Sequence, residues 1–143
     1  MTEQTIYDEI LGELAWDDDD ECWSSQVQFT LEHIVNVTID PDDAETGAVI
    51  MKSRQSFAKL QENELNIRRL ISDQMLKIYN DNWNNGEIID TQDFIDSIKL
   101  EDIVFYANGN IQLFYNDGYL FAGHGIIVSI DEYGNYQEAV LFG

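Results

Sequence analysis

Lysine and arginine are missing from both ends of this chain. Of its 143 residues, 28 are acidic and only seven basic, a formal net charge of −21. The bases are Lys52, Arg54, Lys59, Arg68, Arg69, Lys77 and Lys99, all in the middle of the sequence. Residues 1–51 carry 14 acids and residues 100–143 carry six, with no Lys or Arg in either segment. Such a balance does not suit a surface that neutralises phosphates, so no nucleic-acid partner is expected. Docking on an anionic membrane is disfavoured for the same reason. A single cysteine, Cys22, excludes an internal disulfide. No apolar run approaches the roughly 18–20 residues that span a bilayer. Met1-Thr2-Glu3-Gln4 shows no basic segment followed by an apolar one, so no secretory leader and a cytoplasmic location are expected.

What is present is enough for a core. Apolar residues make up 44% and aromatics 12% of the chain, which argues against disorder despite the charge. The length suits a single domain spanning residues 1–143. A chain of this size can bury roughly 65–70% of its unfolded surface.

The period of the apolar residues changes twice along the chain. Residues 1–10 read as a lead-in and Leu11–Trp16 as a short strand. Asp17-Asp18-Asp19-Asp20-Glu21 repels itself and reads as a loop. Trp23, Ser25, Val27, Phe29 and Leu31 then fall on alternate positions, as do Val35, Val37 and Ile39, which predicts two strands joined by a short link at Glu32-His33. Asp40-Pro41-Asp42-Asp43 ends the second strand, because proline cannot donate to a ladder. The middle is helical. Val49, Ile50, Phe57 and Leu60 suit one helix, and Leu65 to Tyr79 a second that begins near Asn63 and stops at Asn84-Asn85-Gly86. A third helix is expected from Asp90, with Phe94, Ile95 and Ile98 on its apolar side. Period two returns at Ile103–Tyr106, and Asn108-Gly109 predicts a tight hairpin. Strands are then expected around Ile111–Tyr115, Ile126–Ile130 and Tyr136–Phe142. Strands, helices, then strands define an α+β class: an antiparallel sheet built from the N- and C-terminal strands, with a central helical segment packed on one face. Tyr133, Tyr136 and Phe142 are expected in the core.

Most catalytic signatures are missing. Cys22 follows five acids, which disfavour its thiolate, and no Gly-x-Ser-x-Gly or Walker motif occurs. Two histidines and one cysteine, none closely spaced, do not make a zinc site. Calcium loops begun at Asp17, Asp81 or Asp131 fail, because Cys22 stands at the required glycine of the first and Trp83 and Tyr133 at the third, ligand position of the other two. No metal, cofactor or catalytic residue is therefore assigned. Gly123-His124-Gly125 remains, because flanking glycines allow an unusual backbone or close approach around His124.

Several segments together resemble a known family: Leu11–Trp16, Ile39-Asp40-Pro41-Asp42, Leu76–Trp83, Phe105-Tyr106 with Asn108-Gly109, and Gly123–Val128. They are similar to the bacterial domain-of-unknown-function family 2262 over nearly the whole chain. The resemblance implies no reaction and no site residues. Small acidic bacterial proteins of this kind are similar to immunity proteins, which neutralise toxin domains.

Two functions are compatible with these features, beside a plain structural or regulatory domain whose acidity only maintains solubility. The first is a non-enzymatic binding module for a basic protein, as in immunity-like toxin neutralisation. Asp17, Asp18, Asp19, Asp20 and Glu21 would supply steering charge, Trp16 and Trp23 aromatic anchors, and Asp42, Asp43 and Glu45 an extension of the patch. The alternative is a small enzyme or a divalent-cation or ligand-binding domain centred on His124, with Asp131 or Glu132 as general base or ligand.

Overall fold

The computed structural model describes residues 4–143; Met1-Thr2-Glu3 lie outside the described residues. Eight strands form one sheet in chain order: β1 (Thr5–Asp8), β2 (Gly12–Asp17), β3 (Cys22–Thr30), β4 (His33–Asp40), β5 (Lys99–Tyr106), β6 (Ile111–Asn116), β7 (Gly125–Ile130) and β8 (Tyr136–Phe142). Every junction is antiparallel except β4–β5, which is parallel. The exception has a cause. The helical segment lies between β4 and β5, and a crossover that returns over one face delivers the next strand in the same direction. The chain is thus α+β with a helical middle, and its purely antiparallel sheet becomes a mixed one at this single junction.

Residues 1–10 are more than a lead-in, because Thr5–Asp8 pairs with β2. The link between β3 and β4 is Leu31-Glu32, one residue earlier than expected, and Leu31 is exposed. The two expected central helices are one. Helix α1 runs unbroken from Thr46 to Ile78, 33 residues, about 50 Å at 1.5 Å per residue. The polar run around Asn63 faces solvent without breaking the backbone ladder, and no glycine or proline stands there. Glu45 caps the helix: its carboxylate accepts from Gly47 N–H at 3.0 Å and Ala48 N–H at 2.8 Å. A π-helical turn, Tyr79–Trp83, follows, and then α2 (Thr91–Ser97). Asp90 caps α2 in a reciprocal box with Asp93.

Helix α1 buries Val49, Ile50, Phe57, Leu60, Ile67 and Ile71 against one face of the sheet. Val35, Val37 and Ile39 of β4 and Leu113, Ile126 and Val128 of the later strands meet it from the sheet side. Phe57 packs edge-on to Phe29 with ring centres 5.6 Å apart. Among the described residues, no helix lies on the other sheet face. Phe142 projects on that uncovered face, with 41% of its surface exposed, and Tyr133 stands in a turn at 80%, so neither belongs to the core as expected. Six of the seven bases lie on α1, and the seventh, Lys99, opens β5. No helix among the described residues is long and apolar enough to cross a membrane.

Candidate functional site: an acidic groove at one strand end

The register fixes which loops share an end. Asp40 at the close of β4 aligns with Tyr106 at the close of β5. The turns at 17–21, 41–45, 107–110 and 131–135 therefore lie at one end of the strands. The loops at 31–32 and 117–124 lie at the other.

At the first end, Trp16, Asp20, Glu21, Asp40, Asp42 and Asp43 line a groove of about 340 Å³. The groove is assembled by turn chemistry. Asp17 Oδ1 accepts from the amides of Asp19 at 2.8 Å and Asp20 at 3.2 Å, which folds the acidic run back on itself. Glu21 then takes φ +53° and returns the chain into β3. Across the groove, Asp40 Oδ1 accepts from Asp42 N–H at 3.0 Å, and Asp42 takes φ +50°. These positions belong to Asp and Glu, of which Asp tolerates the left-handed region better than most residues.

The expected binding residues divide by role. Asp20, Glu21, Asp42 and Asp43 are exposed in the groove. Asp18 accepts from Trp16 Nε1 at 2.8 Å and fixes that half-exposed ring. Asp17 ties the turn, Asp19 is exposed beside it, and Glu45 is spent on the helix cap. Trp23 is 4% exposed and packs under Trp16 with ring centres 5.1 Å apart. It is a core residue that supports the Trp16 ring, since burial leaves it little surface for contact. Asp40 was not anticipated as a site residue; its position as the last residue before Pro41 looked like strand termination alone.

The field of these acids registers on Cys22. Its thiol is pushed up by burial first, then by the negative charges of Asp20, Asp17 and Asp40. Tyr106, beside Asp40 in the register, is likewise raised, by burial and then by Asp40. Carboxylates from both walls of the groove, Asp17 and Asp20 on one side and Asp40 on the other, thus act on one thiol. Among the described residues, no three His, Cys, Asp or Glu side chains are arranged to hold a metal ion.

The alternative site does not assemble. His124 precedes β7 and Asp131 follows it, so the six residues of that strand separate them by about 20 Å at 3.3 Å per residue. His124 stands edge-on to Trp83, ring centres 5.7 Å apart, in an aromatic cluster with Phe121, Phe94 and Tyr79. Asp131 is occupied within its own turn, accepting from Tyr133 and Asn135 amides at 2.9 Å and from Gln137. Glu132 and Lys52 close over Gly109, where an added Cβ would meet Lys52 Nζ at 2.8 Å and Glu132 Cβ at 3.0 Å. That glycine also has φ +94°, so the Asn-Gly hairpin needs it twice over.

The loop holding His124 is organised by Asp117, a buried carboxylate that sequence reasoning missed. Asp117 accepts from the amides of Tyr119 at 3.0 Å, Phe121 at 2.8 Å and Gly123 at 3.1 Å. Tyr119 and Ala122 take left-handed backbone angles, φ 64° and 57°, within that cradle.

Fold and groove together define a small α+β domain with one covered sheet face, one open face and a carboxylate-lined rim. The chain belongs to a bacterial family described as "Uncharacterized protein conserved in bacteria (DUF2262)", whose pattern matches residues 8–141. No curated protein and no solved structure matches the chain.

Proposed function

We propose that this domain is a non-enzymatic binding module for a basic protein partner, engaged through the groove between the 17–21 and 40–43 turns. One observation carries the reading: two acidic segments twenty residues apart form the two walls of one groove with no base in its lining. A cleft of one sign focuses field lines and accelerates encounter with an oppositely charged partner. Trp16, fixed by Asp18, supplies a preorganised aromatic contact of the kind that contributes affinity. Immunity-like neutralisation of a cationic toxin domain is the narrower form of this proposal.

The test is association kinetics with the partner recovered from the native host. The quadruple variant Asp20→Asn, Glu21→Gln, Asp42→Asn, Asp43→Asn is expected to slow association by about tenfold or more at low salt, with the difference shrinking as salt rises. Unchanged association rate and unchanged salt dependence would overturn the reading.

A further inference from the structure

The face of the sheet opposite α1 carries an apolar stripe near the β8 edge. Phe114, Ile127 and Val140 align across β6, β7 and β8, with Asp102 next in the same row on β5. Phe142 lies one row further along, opposite Gly125. Its ring covers that glycine, where any Cβ would overlap it, and stands edge-on to Phe114 with centres 5.7 Å apart and planes at 89°. Covering the glycine uses one side of the ring; 41% of Phe142 and 45% of Val140 remain exposed. A cleft of about 380 Å³ runs beside the Phe114–Phe142 pair and is lined by Glu101 and Asp102. Glu138 and Asp40 stand on the same face by register. The face's one base among the described residues is Lys99, at the start of β5.

We propose that this open face docks a cationic amphipathic helix of another protein, its apolar side on Phe114, Ile127, Val140 and Phe142 and its basic side chains on Asp102, Glu101 and Glu138. This rests on the reading that the partner is basic, and adds where and in what form its second contact falls. A second copy of this chain is opposed by charge, since each copy carries −21 and the two faces would bring like acids together. An added strand is opposed at the neighbouring edge. Gln74 of α1 already occupies Ala139 on β8, donating to its carbonyl at 2.7 Å and accepting from its amide at 3.0 Å. A helix needs no free strand edge, and the covered face shows that this sheet accepts one.

The probe is a synthetic helix of about 18 residues, or five turns, with leucine on one side and arginine on the other. A scrambled peptide of the same composition is the control, and binding to the full-length protein is measured by calorimetry. The amphipathic peptide is expected to bind, and the scrambled one to bind at least about tenfold more weakly. Val140→Lys is expected to weaken the amphipathic peptide by at least about tenfold. Val140→Thr, which keeps the strand's β-branched shape, replaces it if the lysine variant does not fold, with a smaller loss in the same direction. Equal affinity for both peptides would overturn the proposal, as would indifference to Val140. A dimer seen in sedimentation that Val140→Lys dissolves would also overturn it, by assigning the face to a second copy. Binding that falls only in the Asp20, Glu21, Asp42, Asp43 variant would overturn the helix proposal while leaving the groove reading intact.

Discussion

Arg54 of α1 grips Asp8 of β1 with two nitrogens, Nε at 3.0 Å and Nη2 at 2.5 Å from Oδ1. The same carboxylate accepts from the Ile10 and Leu11 amides at 3.0 and 2.9 Å. Asp8 thus closes the β1–β2 turn and pins the edge strand to the long helix. Burial alone would raise its pKa. The Arg54 side-chain hydrogen bond, the Leu11 and Ile10 amides and the Arg54 charge outweigh burial and hold it below the ordinary 3.8.

This pairing predicts a specific acid response. The stabilisation is fully present above the unfolded value near 3.8 and is lost as pH falls through the lower folded value. Urea midpoints measured from pH 5 downward should show it, and Asp8→Asn should lose that component of the slope. At neutral pH, Asp8→Ala is expected to cost about 1–3 kcal/mol through the unpaired Leu11 amide.

Asp117 should be the more sensitive carboxylate. Asp117→Ala leaves the amides of Tyr119, Phe121 and Gly123 without their acceptor, at a cost of about 2–4 kcal/mol. Chemical denaturation gives the loss. The His124 ring protons, which sit edge-on to Trp83, should shift with it in the NMR spectrum. A loss below about 1 kcal/mol would mean that water replaces the carboxylate readily.

Two tyrosines predict the alkaline limit. Tyr136 is pushed up to about 12 by burial, then by Glu138 and Asp73. Tyr115 is moved well above 10 by burial, then by the charge and hydrogen bond of Glu64. Their neutral forms support the fold, so stability is complete below about 10 and falls as pH rises towards the folded values. Carbon-detected phenol titration should find Tyr136 half-ionised near 12. Tyr115→Phe removes the hydrogen bond to Glu64 Oε2 at 2.9 Å and is expected to cost about 1 kcal/mol, because Arg68 Nε remains 2.9 Å from the same oxygen.

Gln74→Ala should expose the β8 edge. It removes both bonds to Ala139 and the acceptor of the Tyr136 hydroxyl at 2.5 Å. Hydrogen exchange at the Ala139 amide should accelerate by about tenfold or more, and aggregation should rise as the edge becomes available for pairing.

Much of the fold could be read from spacing. Val35, Val37 and Ile39 announce a strand because one sheet face is buried, and Asn108-Gly109 announces its hairpin because few residue pairs accept those angles. Asp90 is legible as a cap for the same local reason. Edge strand β1 was not legible: only Asp8 of its four residues is buried, so no alternation survives. The break expected near Asn63 came from a gap in the apolar stripe, which a long helix tolerates where it leaves the sheet for solvent. The candidate groove was half legible. Clustering marked Asp17–Glu21 and Asp42–Asp43, but nothing in sequence separates a groove acid from Glu45 on its helix cap or from Asp8 and Asp117 in their cradles. His124 and Asp131 are seven residues apart in the chain, and only a strand between them sets them at opposite ends.

The groove's field can be measured without any partner, at Cys22. Its labelling rates with a cationic and an anionic thiol reagent of equal size report the local potential directly. At low salt the cationic reagent is predicted to react on the order of tenfold faster, with the ratio falling at high salt and in Asp17→Asn, Asp20→Asn, Asp40→Asn. Equal rates for the two reagents at low salt would contradict a negative groove.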